Sequence, residues 1–97
     1  MEDMNKIIKI LEEHMEELKK KYHVKELRLF GSFVRGEQRK KSDVDVLVEF
    51  EQPIGFFKFL ELEEYLSKLL GIRVDLVSKK ALKPRIGKHI LKEAVRI

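Results

Sequence analysis

Ninety-seven residues, 39% of them charged and none of them cysteine, leave room for one modest core and exclude disulfides, thiolate chemistry and cysteine-based zinc sites. No apolar run approaches the roughly 20 residues that a membrane-spanning helix needs, and the acidic, then amphipathic start Met1-Glu2-Asp3-Met4-Asn5 is unlike a secretory signal. The expectation is a single cytoplasmic domain, residues 1–97, whose net charge of +4 suits phosphates or an acidic partner without arguing for DNA or RNA.

In chain order, Met4, Ile7, Ile8, Leu11, Met15, Leu18 and Tyr22 recur at helical spacing, which predicts an amphipathic helix from about Asp3 to Tyr22 with Asp3 as its cap. His14 and His23 have no second ligand at metal spacing and read as surface residues. Glu26–Phe30 alternates and predicts the first strand, which Gly31 breaks. One turn of helix over Ser32–Gly36 and a polar, basic loop over Glu37–Lys41 follow. The second strand begins near Asp43 and runs to Phe50; alternation puts Val44, Val46 and Val48 on one face and Asp43, Asp45 and Leu47 on the other.

Pro53 and Gly55 punctuate a loop. Phe56–Leu70 reads as a second long helix, with Phe59, Leu62, Leu66, Leu69 and Leu70 inward and Gly71 as its stop. Phe56, Phe57 and Phe59 read as core or lid packing, with adenine stacking a weaker option. Ile72–Val77 is the third strand, and Asp75 sits in its middle, where an unpaired carboxylate is costly. Pro84 opens a last helix carrying Ile86, Ile90, Leu91 and Ala94. The order α-β-(short α)-β-α-β-α predicts an α/β (α+β) domain, helices packed on a small mixed three-stranded sheet. The first two strands are expected to be antiparallel neighbours.

The chemistry starts at Gly31-Ser32. A glycine lets backbone amides approach a phosphate closely, the amides at a helix start favour anions, and Ser32 adds a hydroxyl donor. Asp43 and Asp45, two residues apart, place their carboxylates on one strand face with roughly 7 Å between Cα atoms. Two acids so close repel unless a cation lies between them or one is protonated, and magnesium takes carboxylate oxygens together with substrate phosphate. If the third strand lies beside the second, Asp75 faces the same cleft. Three carboxylates can hold two divalent ions, one gripping a triphosphate and one activating an attacking hydroxyl.

The composite Gly31-Ser32-x-x-Arg35-Gly36, Ser42-Asp43-x-Asp45 and a later Asp75 closely resembles the minimal nucleotidyltransferases, small stand-alone members of the DNA polymerase β-like superfamily. The resemblance covers nearly the whole chain, although Val34 stands where the family often has a small residue. It implies the nucleotidyltransferase fold, ATP as substrate held by Gly31 and Ser32 with Arg35 and Ser42 as further nucleotide-binding candidates, and Mg2+ on Asp43, Asp45 and Asp75, which are also the catalytic residues. It further implies an antitoxin that transfers AMP to a tyrosine of a HEPN-type toxin. The alternative is a non-catalytic antitoxin that binds and occludes that partner. Nucleic acid is not expected as the direct substrate, since the chain has no further domain to hold a template or primer. Arg39, Lys40 and Lys41 read equally as a contact loop or as solvated charge.

Overall fold

The computed structural model describes residues 4–31 and 43–97. Helix α1 spans Met4–Tyr22 and buries Ile7, Leu11, Leu18 and Tyr22 along one stripe. Strand β1 covers Val24–Phe30, β2 Val44–Phe50, helix α2 Phe56–Leu70 and β3 Val74–Ser78. A short 3-10 turn, Lys79–Ala81, leads to helix α3, Pro84–Glu93, and to a two-residue strand β4, Val95–Arg96. The expected cap at Asp3 lies outside the described residues. No described helix is long and apolar enough to cross a membrane.

Among the described residues the sheet has four strands in the order β3-β2-β1-β4, one more than the sequence predicts. β1 pairs antiparallel with β2 and with β4, and β2 pairs parallel with β3. Leu27 and Leu29 of β1, Val44, Val46 and Val48 of β2, and Val74 and Leu76 of β3 are buried in one core with the inward residues of α1 and α2. β1 begins two residues earlier than expected. A register irregularity between Val24 and Glu26 interrupts the period-2 pattern and hides Val24, which is nevertheless buried.

Helix α2 ends as its sequence requires, with Gly71 in the left-handed region (φ 71°) and its N–H donating to the Ser67 carbonyl at 2.9 Å. Side chains of the same helix close the outer edge of β3. The Val74 amide donates to Ser67 Oγ at 3.0 Å and the Leu76 amide to Glu63 Oε2 at 2.9 Å. Edge amides that would otherwise invite another strand are thereby satisfied within the chain.

Helix α3 lies on the other side of the sheet. The crossovers β2-α2-β3 and β3-α3-β4 both join parallel strands but run in opposite directions across the sheet, so right-handed connection places their helices on opposite faces. Leu47 fits this placement: it is 2% exposed yet stands apart from the core beneath α1 and α2, as do the partly buried Ile90 and Leu91 of α3. β4 is fastened by Glu26, which accepts from Arg28 Nε at 2.9 Å on its own strand and pairs with Arg96 Nε at 2.8 Å.

Candidate active site

Parallel pairing makes Asp45 and Asp75 direct Cα partners, so their side chains leave the same face of adjacent strands, with backbones about 4.8 Å apart. That face is the one opposite the valines. Asp45 is half-buried and Asp75 exposed, as befits carboxylates at the mouth of a cleft. Phe30, the last residue of β1, is the antiparallel partner of Asp45, and Gly31 follows it. The three strands thus bring one glycine turn and two carboxylates to one end of the sheet.

Gly31 has φ 79°, a conformation that side chains with a Cβ rarely adopt. A Cβ at this position would also run into the carboxylate of Asp45. The glycine that reads in the sequence as a phosphate approach therefore has a second task, that of seating Asp45. Nothing in the linear order signals this contact, because it depends on β1 and β2 being paired in this register.

Asp43 stands one residue before β2, next to Arg73, and the two charges approach to 3.8 Å. Arg73 is 83% exposed, so the pair is a weak tether. The amide of Val44 donates to the Arg73 carbonyl at 2.9 Å, which fixes the start of β2 against the start of β3. Among the described residues no group of three His, Cys, Asp or Glu side chains is close enough to hold a metal. The expected three-carboxylate cluster is therefore present as the adjacent pair Asp45 and Asp75, with Asp43 beside Arg73. The pair still fits magnesium by donor chemistry: hard oxygen ligands, side by side, like in charge, and sufficient for an ion that completes its shell with water and substrate phosphate. Ser32, Arg35 and Ser42, the remaining nucleotide-binding candidates, lie outside the described residues, as do Gly36, Arg39, Lys40 and Lys41.

A cavity of about 920 Å³ lies elsewhere. It sits at the opposite ends of β2 and β3, lined among others by Phe50, Ile54, Phe56, Phe59 and Ala81. Phe59 packs edge-on against Phe50 with ring centres 6.3 Å apart. Phe56 and Phe57 are 69% and 83% exposed, so the core reading holds for Phe59 and not for its two neighbours. Their distance from the aspartate end, the length of a strand away, also removes them from adenine stacking there.

A nearby ion pair tunes Glu49. The hydrogen bond from Lys79 Nζ at 3.2 Å holds its carboxyl below the usual carboxylate range. Burial raises Tyr22 and Tyr65 above the ordinary phenol value, and for Tyr65 the Glu17 carboxylate that accepts its hydroxyl adds to the effect.

Two in-register aspartates beside a glycine turn, at one end of the sheet, offer the oxygen donors and the close backbone approach that chemistry on a phosphate ester can use. Residues 11–97 match the family described as the nucleotidyltransferase domain. The chain belongs to that family and is a nucleotidyltransferase. It is 50% identical over 94 residues to the protein adenylyltransferase MntA of Thermococcus cleftensis, covering 97% of this chain and 95% of that protein. A solved structure named for a minimal nucleotidyltransferase superposes with a TM-score of 0.82 at 35% identity, covering 99% of this chain and 97% of the other. A toxin-antitoxin structure with AMP-PNP superposes with a TM-score of 0.71 at 26% identity, over 95% of this chain and 69% of the other.

Proposed function

We propose that this nucleotidyltransferase transfers AMP from ATP to a hydroxyl, a tyrosine by the family resemblance, on a HEPN-type toxin for which it serves as antitoxin. The observation that carries the reading is the in-register pair Asp45 and Asp75 beside Gly31. The similarity to a protein adenylyltransferase and to a toxin-antitoxin structure with an ATP analogue supports the choice of AMP and of a protein acceptor.

In the proposed reaction the acceptor oxygen bonds to the α-phosphorus of ATP, the α–β bridging P–O bond breaks, and pyrophosphate leaves. Magnesium held by Asp45 and Asp75, with Asp43 completing a two-ion set, would neutralise the triphosphate and ease ionisation of the attacking hydroxyl. Gly31 keeps the end of β1 free of a side chain, which lets Asp45 stand against the backbone where the phosphates arrive. The exposed Asp75 stands on the acceptor side and takes the hydroxyl proton, passing it to water. Ser32, Arg35 and Ser42 bind the nucleotide phosphates in this scheme.

Mass spectrometry of the HEPN-type partner, incubated with this protein, ATP and magnesium, tests the proposal. An AMP adduct on tyrosine that disappears with Asp45→Asn is the expected result. An unmodified partner that is nonetheless neutralised by the Asp45→Asn protein would replace catalysis by occlusion.

A further inference from the structure

We infer that the outer face of α3 is the docking surface for the acceptor protein, and that the acceptor presents an acidic, partly apolar segment there. The inference rests on the transfer reaction proposed above for its purpose, but not for its geometry.

Between residues 79 and 96 the chain has seven basic residues, Lys79, Lys80, Lys83, Arg85, Lys88, Lys92 and Arg96, and one acidic residue, Glu93. This segment carries a net +6 while the whole chain carries +4, so the remainder is slightly acidic. The charge is patterned. Arg85, Lys88 and Lys92, at spacings of three and four, form one stripe along α3, with His89 between them. All four are exposed, and the opposite face of the helix carries the buried Gly87 and the partly buried Ile90 and Leu91. None of the three stripe cations has an acidic residue three or four positions away. Like charges at these spacings weaken a helix, so the stripe lowers the stability of its own helix.

Its place in the fold gives the stripe a use. α3 crosses the face of the sheet that carries Asp45 and Asp75, opposite α1 and α2. It starts beyond the end of β3 and finishes at β4, where Val95 pairs with Leu29, two residues before Gly31. The stripe therefore leads towards the catalytic end, with Lys92 nearest. A segment laid along it would deliver a hydroxyl to the aspartates, and positive charge would draw an acidic partner to this face. Ile86, 53% exposed on the flank of the stripe, favours a protein over a nucleic acid. An aliphatic anchor suits an apolar side chain, whereas binding of a nucleic-acid strand is carried by phosphate contacts and aromatic stacking, and the exposed aromatics Phe56 and Phe57 lie at the far ends of the strands.

Fluorescence anisotropy tests this with three labelled probes: a peptide holding one tyrosine among glutamates and leucines, the same peptide with lysines for glutamates, and a single-stranded RNA oligonucleotide. The glutamate peptide is expected to bind and the lysine peptide not. The triple reversal Arg85→Glu, Lys88→Glu, Lys92→Glu should weaken glutamate-peptide binding by about tenfold or more, which added salt should mimic. Ile86→Ser should weaken the peptide and leave RNA unaffected. The conservative set Arg85→Lys, Lys88→Arg, Lys92→Arg keeps the charge and should retain binding, which separates charge from damage to the helix. RNA binding more tightly than the glutamate peptide and lost on the same reversal, or peptide binding indifferent to both the reversal and Ile86→Ser, overturns the inference. Asp45→Asn separates the two proposals, since it should leave peptide binding intact. Peptide binding through the stripe by a wild-type protein that transfers no AMP would refute the reaction and keep the surface.

Discussion

A Cβ atom placed on Gly31 would lie 3.3 Å from the Cβ of Asp45 and 3.0 Å from its Cγ, and would overlap the carboxylate itself. The turn and the Asp45 side chain are thus one fitted unit. Gly31→Ala is expected to cost about 1–2 kcal/mol for the left-handed backbone alone. It should lower AMP transfer by much more than that loss of stability explains, because Asp45 must move aside. Thermal unfolding and single-turnover transfer on the same preparation check this; full activity in a folded Gly31→Ala protein would contradict it.

Asp45 and Asp75 are neighbouring like charges, and like charges opposite one another destabilise a sheet by about 0.2–1 kcal/mol. Without divalent metal, Asp75→Asn should therefore melt at the same temperature as the unaltered protein or slightly above it. Transfer should fall by at least about a hundredfold, since even the outer partners of metal ligands cost 10–100-fold. Adding magnesium should raise the melting temperature of the unaltered protein more than that of Asp75→Asn. Equal shifts would place the ion elsewhere.

Glu63 and Ser67 of α2 hold the outer amides of β3. Glu63→Ala leaves the Leu76 amide without its acceptor and is expected to cost about 1–3 kcal/mol. Glu63→Gln keeps a carbonyl acceptor and should recover most of the loss. Denaturant unfolding of both variants makes the comparison, and equal stability of the two would show that the hydrogen bond contributes nothing.

His23 has φ 57° at the junction of α1 and β1, and its carbonyl accepts from the Glu51 amide at 2.9 Å. Glycine keeps that carbonyl and relieves the strain of a left-handed residue with a Cβ. His23→Gly should stabilise the protein by about 1 kcal/mol, visible as a higher melting temperature with transfer unchanged.

The pH profile of stability should fall at both ends. The Glu49 carboxyl is lowered in the folded state by Lys79, so its contribution is present above the ordinary carboxylate range and lost as pH falls through the folded value. Tyr22 and Tyr65 are raised above 10.0, so theirs is present below pH 10 and lost as pH rises through the folded values. Lys79→Ala should flatten the acid side alone. An unaltered acid limb would remove Glu49 from the account.

Local pattern determined much of this molecule. The apolar period and Gly71 mark α2 at its observed bounds, Phe56–Leu70, and strand alternation puts Asp45 opposite Val44, Val46 and Val48, and Asp75 opposite Val74 and Leu76. The register shift near Val24 and the two-residue β4 lie beyond local pattern. A shift in register breaks the alternation by which a strand is read, and Val95 and Arg96 become a strand only through Leu29 and Arg28. The site itself was decided by the tertiary structure. Alternation tells which face of a strand a carboxylate leaves, but only the parallel register of β2 on β3 makes Asp45 the partner of Asp75, and only the antiparallel register of β1 on β2 sets Asp45 against Gly31. A side chain's face follows from its own backbone, whereas its neighbour across the sheet follows from burying the apolar face of all three strands at once, a requirement that no single stretch of the chain contains.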